Sequence, residues 1–111
     1  MITLLTKPIP INQKYGVING RMLLSKKYRD TKDALAWEIR SQWQNKPLTG
    51  DVTMNIVQYF GDKRKRDCDA YIKIIMDAGE GILYEDDSQV NELCVTKQID
   101  KESPRIEVSV V

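Results

Sequence analysis

The alternation of apolar and polar residues predicts three main strands in this chain of 111 residues. The clearest covers residues 52–60, where apolar side chains occur on both faces, so we expect it in the centre of a sheet. The same period of two recurs around residues 90–99 and 106–110. A shorter strand at residues 2–5 must end before Pro8, because proline donates no backbone hydrogen bond.

The dipeptide Asn19-Gly20 predicts a tight hairpin. It lies between two short, largely apolar runs at residues 15–18 and 21–24. Both central positions of a type I′ turn need a positive φ, which asparagine and glycine adopt more readily than other residues. We therefore expect a two-stranded ribbon at residues 15–24.

Two helices are predicted from apolar residues at helical spacing. The first begins after Ser25, whose hydroxyl suits an N-cap, and ends near Asn45. The second runs from Ala70 to Ala78, and Gly79 suits a left-handed C-cap. Its apolar residues cover more than one stripe, so we expect burial on two sides, either within the fold or, as we favour, in a subunit interface.

The order of these elements predicts a single α+β domain over residues 1–111. We expect a mixed β-sheet with two main helices packed on it. The composition is that of a globular protein, with 41% apolar and 30% charged residues. No apolar run approaches the ~20 residues that span a membrane, and the first residues lack the pattern of a signal peptide. We therefore expect no membrane partner and a cytoplasmic location.

The composition also narrows the chemistry, because the chain contains two cysteines and no histidine. Ser-His-Asp and Cys-His mechanisms and Cys/His zinc sites are thereby excluded within one chain. Two cysteines are too few for a disulfide framework. Any catalysis must therefore use carboxylates, lysine or a metal-bound water.

The net charge of +1 hides a split along the chain. Residues 1–66 hold 13 Lys and Arg against 5 Asp and Glu, a net charge of +8, whereas residues 67–111 hold 4 against 11, a net charge of −7. The sign changes between Arg66 and Asp67, at the predicted junction of a strand and a helix. The near-neutral total therefore does not argue against a nucleic-acid partner, because the cations are concentrated in one part of the chain.

The candidate chemistry lies at this junction. The basic run consists of Lys63, Arg64, Lys65 and Arg66. Extended residues two apart share a face, as do helical residues four apart, so Asp67, Asp69 and Lys73 are expected to converge. Anionic sites made only of oxygen suit Mg²⁺, and metal-assisted phosphodiester hydrolysis needs no histidine. The basic run would hold the flanking phosphates.

Each feature also has a structural explanation. A basic run is commonly a solvated loop, Asp67 and Asp69 before a helix suit N-capping, and Asp86-Asp87 before a strand suits a turn. Lys73 alone is most often a surface residue. The conjunction favours function, because capping needs one acid and no structural role requires four successive cations. Two alternatives stay open: a non-catalytic DNA-binding protein that uses the basic run, and an interaction protein with a charged face.

Four segments carry a family resemblance. They are Arg66-Asp67-Cys68-Asp69, Lys73, Asp77-Ala78 and Tyr84-Glu85-Asp86-Asp87-Ser88-Gln89-Val90. These segments resemble the RusA-type Holliday-junction resolvases, and weaker similarity extends to both ends of the chain. The resemblance implies a RusA-like homodimer that is an Mg²⁺-dependent endodeoxyribonuclease, with Mn²⁺ as an alternative ion and no organic cofactor. It implies symmetric cutting of four-way junction DNA in recombination and repair, by a protein of a bacterial host or a phage.

The same resemblance implies roles for particular residues. The three metal carboxylates fall on Asp67, Asp69 and Asp87, and the catalytic lysine falls on Lys73. Asp86, the neighbour of the third acid, is then either a further ligand or a turn residue. A closed two-fold dimer would present two identical sites, which matches paired incision of a junction.

The expected DNA-binding surface extends from the basic run into the amino-terminal part of the chain. Arg66 matches a basic position of the family that would contact DNA. The family commonly has Asn where this chain has Ala70, so any DNA contact made through that amide is missing. Tyr15 or Met22 on the ribbon is a candidate wedge at the junction centre. The remaining expected DNA contacts are Lys14, Arg21, Lys26, Lys27 and Arg29.

Overall fold

The computed structural model describes residues 1–111, with the exception of the Ile18 side chain. In chain order its strands and helices are β1 (Ile2–Leu4), β2 (Tyr15–Ile18), β3 (Arg21–Leu24), α1 (Lys26–Gln42), β4 (Val52–Phe60), α2 (Ile72–Gly79), β5 (Val90–Ile99) and β6 (Arg105–Val110). Short 3₁₀ turns occur at Ile11–Gln13 and Asp87–Gln89. The predicted order of strands and helices is confirmed, and the two 3₁₀ turns were not foreseen.

A mixed sheet of four strands, in the order β1-β6-β4-β5, organises the domain. β4 pairs in parallel with β5 and antiparallel with β6, so it is the central strand that its apolar pattern predicted. Val52, Met54 and Ile56 of β4 are buried in the core, whereas Thr53 and Asn55 on its other face are exposed. The sheet therefore has one covered and one open face.

Both helices contribute to one hydrophobic core on the covered face. α1 contacts β1 and α2, and Leu35 and Ile39 of α1 share the core with Ile74 and Ile75 of α2. In the part of the chain that the structure describes, neither helix is both long and apolar enough to cross a bilayer. The result is the predicted single α+β domain.

The ends of α1 and the hairpin follow the local sequence closely. The Ser25 hydroxyl accepts a hydrogen bond from the Tyr28 backbone N–H at 3.0 Å, which confirms the predicted N-cap. The helix ends at Gln42, slightly earlier than expected. Asn19 and Gly20 have φ values of 53° and 76°, as the predicted hairpin turn requires. β2 and β3 form a separate two-stranded ribbon.

α2 departs from its prediction at both ends. It begins at Ile72, two residues later than expected, because the preceding residues form turns. Gly79 is still helical, and the positive φ of 80° belongs to Gly81 instead. Close packing explains Gly79, since a Cβ there would lie 3.1 Å from both Leu83 Cδ1 and the Tyr84 hydroxyl oxygen. The predicted left-handed cap at Gly79 is therefore wrong.

The apolar excess of α2 is buried inside the chain. Ile72, Ile74 and Ile75 all belong to the core of the single chain. The favoured subunit interface is therefore wrong for these side chains. Burial within the fold, the other expectation, is right because the core residues of α1 and of the sheet surround them.

Candidate active site

The loop of residues 61–71 joins β4 to α2 and carries the basic run. Residues 63–65 are exposed. Arg66 differs, because its guanidinium carbon lies 4.3 Å from the centre of the Phe60 ring and its side chain is only 16% exposed. Three cations therefore face solvent, and the fourth is packed into the fold.

Asp62 fixes the start of this loop. Its carboxylate lies 2.9 Å from Arg66 Nη1 and 3.3 Å from Arg64 Nε, and it accepts a hydrogen bond from the Arg64 backbone at 3.0 Å. The hydrogen bond from Arg66, followed by the one from the Arg64 backbone, lowers the pKa of Asp62 to about 2. The loop thus uses one acid, Asp62, for its own conformation.

Asp67 and Asp69 are both exposed. α2 begins at Ile72, with Tyr71 in the N-cap position and no side-chain hydrogen bond capping the helix. Among the described side chains, neither Asp67 nor Asp69 has a hydrogen-bond or ion-pair partner. The capping explanation is therefore wrong for both acids.

Contacts with the sheet anchor the backbone of these two acids. Gln58 Nε2 of β4 donates a hydrogen bond to the Cys68 carbonyl at 3.0 Å, and Lys97 of β5 donates one to the Arg66 carbonyl. The Cys68 thiol lies 3.5 Å from the Val95 carbonyl of β5. The turn is therefore held against β4 and β5, while the two flanking carboxylates face solvent.

Lys73, in the first turn of α2, links two other carboxylates. Its Nζ lies 2.9 Å from Asp87 Oδ2 and 3.1 Å from Asp77 Oδ1. The hydrogen bond from Lys73 to Asp87 raises the pKa of the lysine, with a further contribution from Asp77, although partial burial acts in the opposite direction. The structure brings Lys73 and Asp87 together. Neither partner is Asp67 or Asp69, with which Lys73 was expected to converge.

A cluster of three acids surrounds the start of the second 3₁₀ turn. Glu80, Asp86 and Asp87 each place a carboxylate oxygen within 4.8 Å of the others. Asp86 accepts a hydrogen bond from the Ser88 backbone at 2.9 Å, and Gln89 completes a capping box. Glu80 accepts one from the Asp87 backbone at 2.9 Å. The turn role of Asp86 is thus present, and its role as a metal ligand stays a prediction.

Asp67 and Asp69 lie outside this cluster. Among the described side chains, the cluster is the one set of three acids or cysteines whose ligand atoms approach so closely. Binding of one ion by Asp67, Asp69 and Asp87 together stays a prediction, and Asp87 alone of the three belongs to this cluster. Glu80 was missed by sequence analysis, since only the fold brings the end of α2 to the start of that turn.

The donor atoms suit a hard divalent cation. Asp67 and Asp69 offer carboxylate oxygens, and the one thiol between them is turned toward the Val95 carbonyl. Mg²⁺ prefers oxygen ligands and commonly takes one or two carboxylates, with waters and substrate phosphates completing its shell. The residues present therefore fit Mg²⁺.

Asp77 lies behind Lys73 and was not assigned a role from the sequence. Its Oδ2 accepts a hydrogen bond from the Tyr28 hydroxyl and lies 3.3 Å from Lys14 Nζ. Burial raises the pKa of Asp77, but hydrogen bonds from Tyr28 and Lys73 outweigh it and lower the pKa overall. The Lys14 side chain is paired with Asp77 here and only 16% exposed, and its expected contact with DNA stays a prediction.

The other expected DNA contacts of the amino-terminal part remain on the surface. Tyr15 and Met22 project from the ribbon with 52% and 70% of their areas exposed. The expected DNA-binding cations of this region are all exposed, namely Arg21, Lys26, Lys27 and Arg29. These positions leave the side chains accessible to a polyanion, and their contact with DNA stays a prediction.

Comparison with known protein families identifies a nuclease family. The model of the family described as endodeoxyribonuclease RusA matches residues 6–111. No curated protein matches the chain. The family match spans the basic run, both exposed acids, Lys73 and the acidic cluster.

Proposed function

The chain belongs to the endodeoxyribonuclease RusA family, which resolves Holliday junctions, and we propose that this member does so with a divalent cation. In this proposal it cuts phosphodiester bonds in pairs at four-way DNA junctions, in recombination and repair. Mg²⁺ is the proposed ion, with Mn²⁺ as an alternative. The observation that carries the proposal is that the carboxylates of Asp67 and Asp69 are exposed and have no partner among the described side chains, just beyond the exposed cations of residues 63–65.

The proposed ligands are Asp67, Asp69 and Asp87, with Asp86 as a further candidate. When bound, a divalent cation supplies an acidified water and neutralises charge on the phosphate. The anchored turn orients Asp67 and Asp69, because Cys68 between them accepts a hydrogen bond from β4 at its carbonyl and donates one to β5 from its thiol. A rigid backbone reduces the conformational entropy that is lost when carboxylates bind a ligand.

Lys73 is the proposed catalytic cation. An ammonium has three N–H groups, and two of those on Lys73 are directed at Asp77 and Asp87. The third is available for a phosphate or leaving oxygen. Its raised pKa keeps the group charged, so it can stabilise negative charge that develops during hydrolysis.

The basic run is the proposed clamp for the DNA backbone. Residues 63–65 supply three cations whose one ion pair among the described side chains is the exposed contact of Arg64 with Asp62. Arg66, stacked on Phe60 and paired with Asp62, supports the loop from within the fold. Affinity from such contacts falls steeply as salt increases, because bound counterions are released from DNA.

A second copy of the chain is the remaining partner. β5 is an edge strand, and Leu93 and Ile99 on it are exposed. A free edge with exposed apolar side chains is a surface that proteins normally cover. We propose a homodimer on this basis, since two sites related by two-fold symmetry would account for paired cuts.

The test is cleavage of a labelled four-way junction by the full chain in Mg²⁺ and in EDTA. We expect paired cuts in Mg²⁺ and none in EDTA. Asp67→Asn should abolish cutting and keep junction binding, whereas Asp51→Asn, at an exposed acid outside the site, should cut normally. An intact junction with the wild-type protein, or cutting that survives Asp67→Asn, would refute the proposal. Tight junction binding without cutting in any divalent ion would instead favour the non-catalytic DNA-binding alternative.

A further inference from the structure

The two oxygens of the Asp77 carboxylate face different partners. Oδ1 lies 3.1 Å from Lys73 Nζ, one helical turn earlier in α2. Oδ2 accepts the hydrogen bond from the Tyr28 hydroxyl of α1 and lies 3.3 Å from Lys14 Nζ. One oxygen therefore serves the candidate catalytic lysine, and the other is bound by residues from two different segments of the chain.

This arrangement fixes the orientation of the carboxylate. The Asp77 side chain is only 13% exposed, and Tyr28 is fully buried at the start of α1. The ring of Tyr28 also lies 5.4 Å from Lys14 Nζ, so the two groups that hold Oδ2 contact each other. Rotation of the carboxylate would break these contacts, so Oδ1 stays directed at Lys73.

Lys73 needs such support because its side chain has four rotatable bonds. Fixing a lysine side chain in one position costs conformational entropy, which its contacts must offset. Asp87 alone provides one contact, from the start of the second 3₁₀ turn. A second contact from Asp77 confines the ammonium between α2 and that turn, where a substrate phosphate bound at the acids would meet it.

We propose that Asp77 is a positioning residue, which holds the Lys73 ammonium toward Asp87 and the reacting phosphate, with Tyr28 and Lys14 as its supports. The functional part of this inference rests on the proposed nuclease activity. The alternative is that Asp77 only stabilises the contact between α1 and α2. The two possibilities differ in what happens when Lys73 is absent.

The first test measures the order of the Lys73 side chain and does not depend on nuclease activity. In full-length protein with ¹⁵N-labelled lysine, we expect an ordered Lys73 ammonium signal by NMR that disappears or becomes mobile in Asp77→Asn. The control Asp30→Asn removes a surface ion pair with Lys26 on α1 and should leave the Lys73 signal unchanged. An unchanged Lys73 signal in folded Asp77→Asn would overturn the proposal.

The second test is a double-mutant cycle for junction cleavage. Asp77→Asn should lower the cleavage rate of bound junction about 10–100-fold, as is typical of residues that orient catalytic ligands, with little change in junction affinity. In a Lys73→Ala background the same substitution should have no further effect on the rate. An equal decrease in rate with and without Lys73 would show that Asp77 acts only through the fold.

Tyr28→Phe sharpens the cycle, because it removes the hydroxyl and leaves the Asp77–Lys73 pair in place. We expect a smaller decrease in rate than for Asp77→Asn, again only when Lys73 is present. If the wild-type protein cuts no junction, the proposed function fails, and the NMR test alone decides whether Asp77 positions the lysine. If the wild type cuts and Asp77→Asn cuts equally well, the positioning role fails and the proposed function stands.

Discussion

The two groups of acids near α2 are used by the fold in opposite ways. Asp86 and Glu80 accept backbone hydrogen bonds, and Asp87 pairs with Lys73. Asp67 and Asp69 are exposed and cap no helix. The first group has structural reasons to be there, whereas the second has none within the described residues.

This difference agrees with the proposed metal role of Asp67 and Asp69, because their carboxylates have no structural partner among the described side chains. Two like charges two residues apart repel, and among the described side chains neither Asp67 nor Asp69 has an oppositely charged partner within ion-pair distance. A divalent cation would offset it. We therefore assign the metal first to the group that the fold does not use, and treat Asp87 as the residue that connects this group with Lys73.

The largest effect is expected from the unused group. Asp67→Asn and Asp69→Asn should each reduce junction cleavage by more than about 100-fold, because even residues that only orient metal ligands cost ~10–100-fold. Both variants should keep the melting temperature of the wild type, since surface substitutions rarely exceed ~0.5 kcal/mol. Cleavage assays measure the expected loss of activity, and thermal melts measure the expected unchanged stability. A large decrease in stability would show that these acids do serve the fold.

Substitutions in the acidic cluster should affect stability more than cleavage, the reverse of those at Asp67 and Asp69. Asp86→Ala should lower the free energy of unfolding slightly, because the 3₁₀ turn loses its cap. Asp86→Asn is the matched control, since asparagine caps as well as aspartate but cannot bind a cation equally well. We expect Asp86→Asn to melt like the wild type and to lose some cleavage. Full cleavage by Asp86→Asn would remove Asp86 from the proposed ligands.

A smaller effect is expected from the exposed cations before the acids. Replacing both Lys63 and Lys65 by alanine should weaken junction binding and reduce the dependence of log affinity on log salt by up to about 0.9 for each phosphate that is no longer neutralised. Lys46→Ala, another exposed lysine, is the control. Binding titrations at several salt concentrations measure the slope. An unchanged slope would show that the basic run does not bind the phosphate backbone.

The smallest effect concerns Asp62, the acid that the loop uses for its own conformation. Its folded-state pKa of about 2 lies below the ordinary value of 3.8. A carboxyl group with a lowered pKa stabilises the fold above its ordinary value, and this contribution is lost as pH falls toward the folded value. Between about pH 3.8 and 2, wild-type stability should therefore fall slightly more than that of Asp62→Asn. Identical acid unfolding of the two proteins would contradict this role.

Local signals were sufficient for most of the fold. The Asn19-Gly20 turn, the Ser25 cap and the period of two in β4 were all read from neighbouring residues, and each is confirmed. The error at Gly79 has a tertiary cause, because the packing of Leu83 and Tyr84 against it cannot be seen in the local sequence. The error about α2 has a similar cause, since its covering partner lies in α1.

The site was only partly predictable for the same reason. The sequence drew attention to the basic run, the two acids and Lys73, which lie close together along the chain. The contacts of Asp77 and Glu80 were not visible in the local sequence. Asp77 accepts a hydrogen bond from Tyr28, far earlier in the chain, and Glu80 accepts one from the Asp87 backbone in the next turn. The charge of Lys14 can be seen in the sequence and suggested a DNA contact. Its pairing with Asp77 depends on the fold and cannot be seen there.

Binding of Mn²⁺ to the full-length protein, measured by the decrease of the free-ion EPR signal, tests whether Asp67 and Asp69 hold the metal. We predict saturable binding by the wild type and by Asp51→Asn, and no such binding by Asp67→Asn or Asp69→Asn. Glu80→Gln should bind almost as the wild type does. Undiminished binding by Asp67→Asn and Asp69→Asn, together with abolished binding by Glu80→Gln, would place the ion in the other cluster and contradict the account.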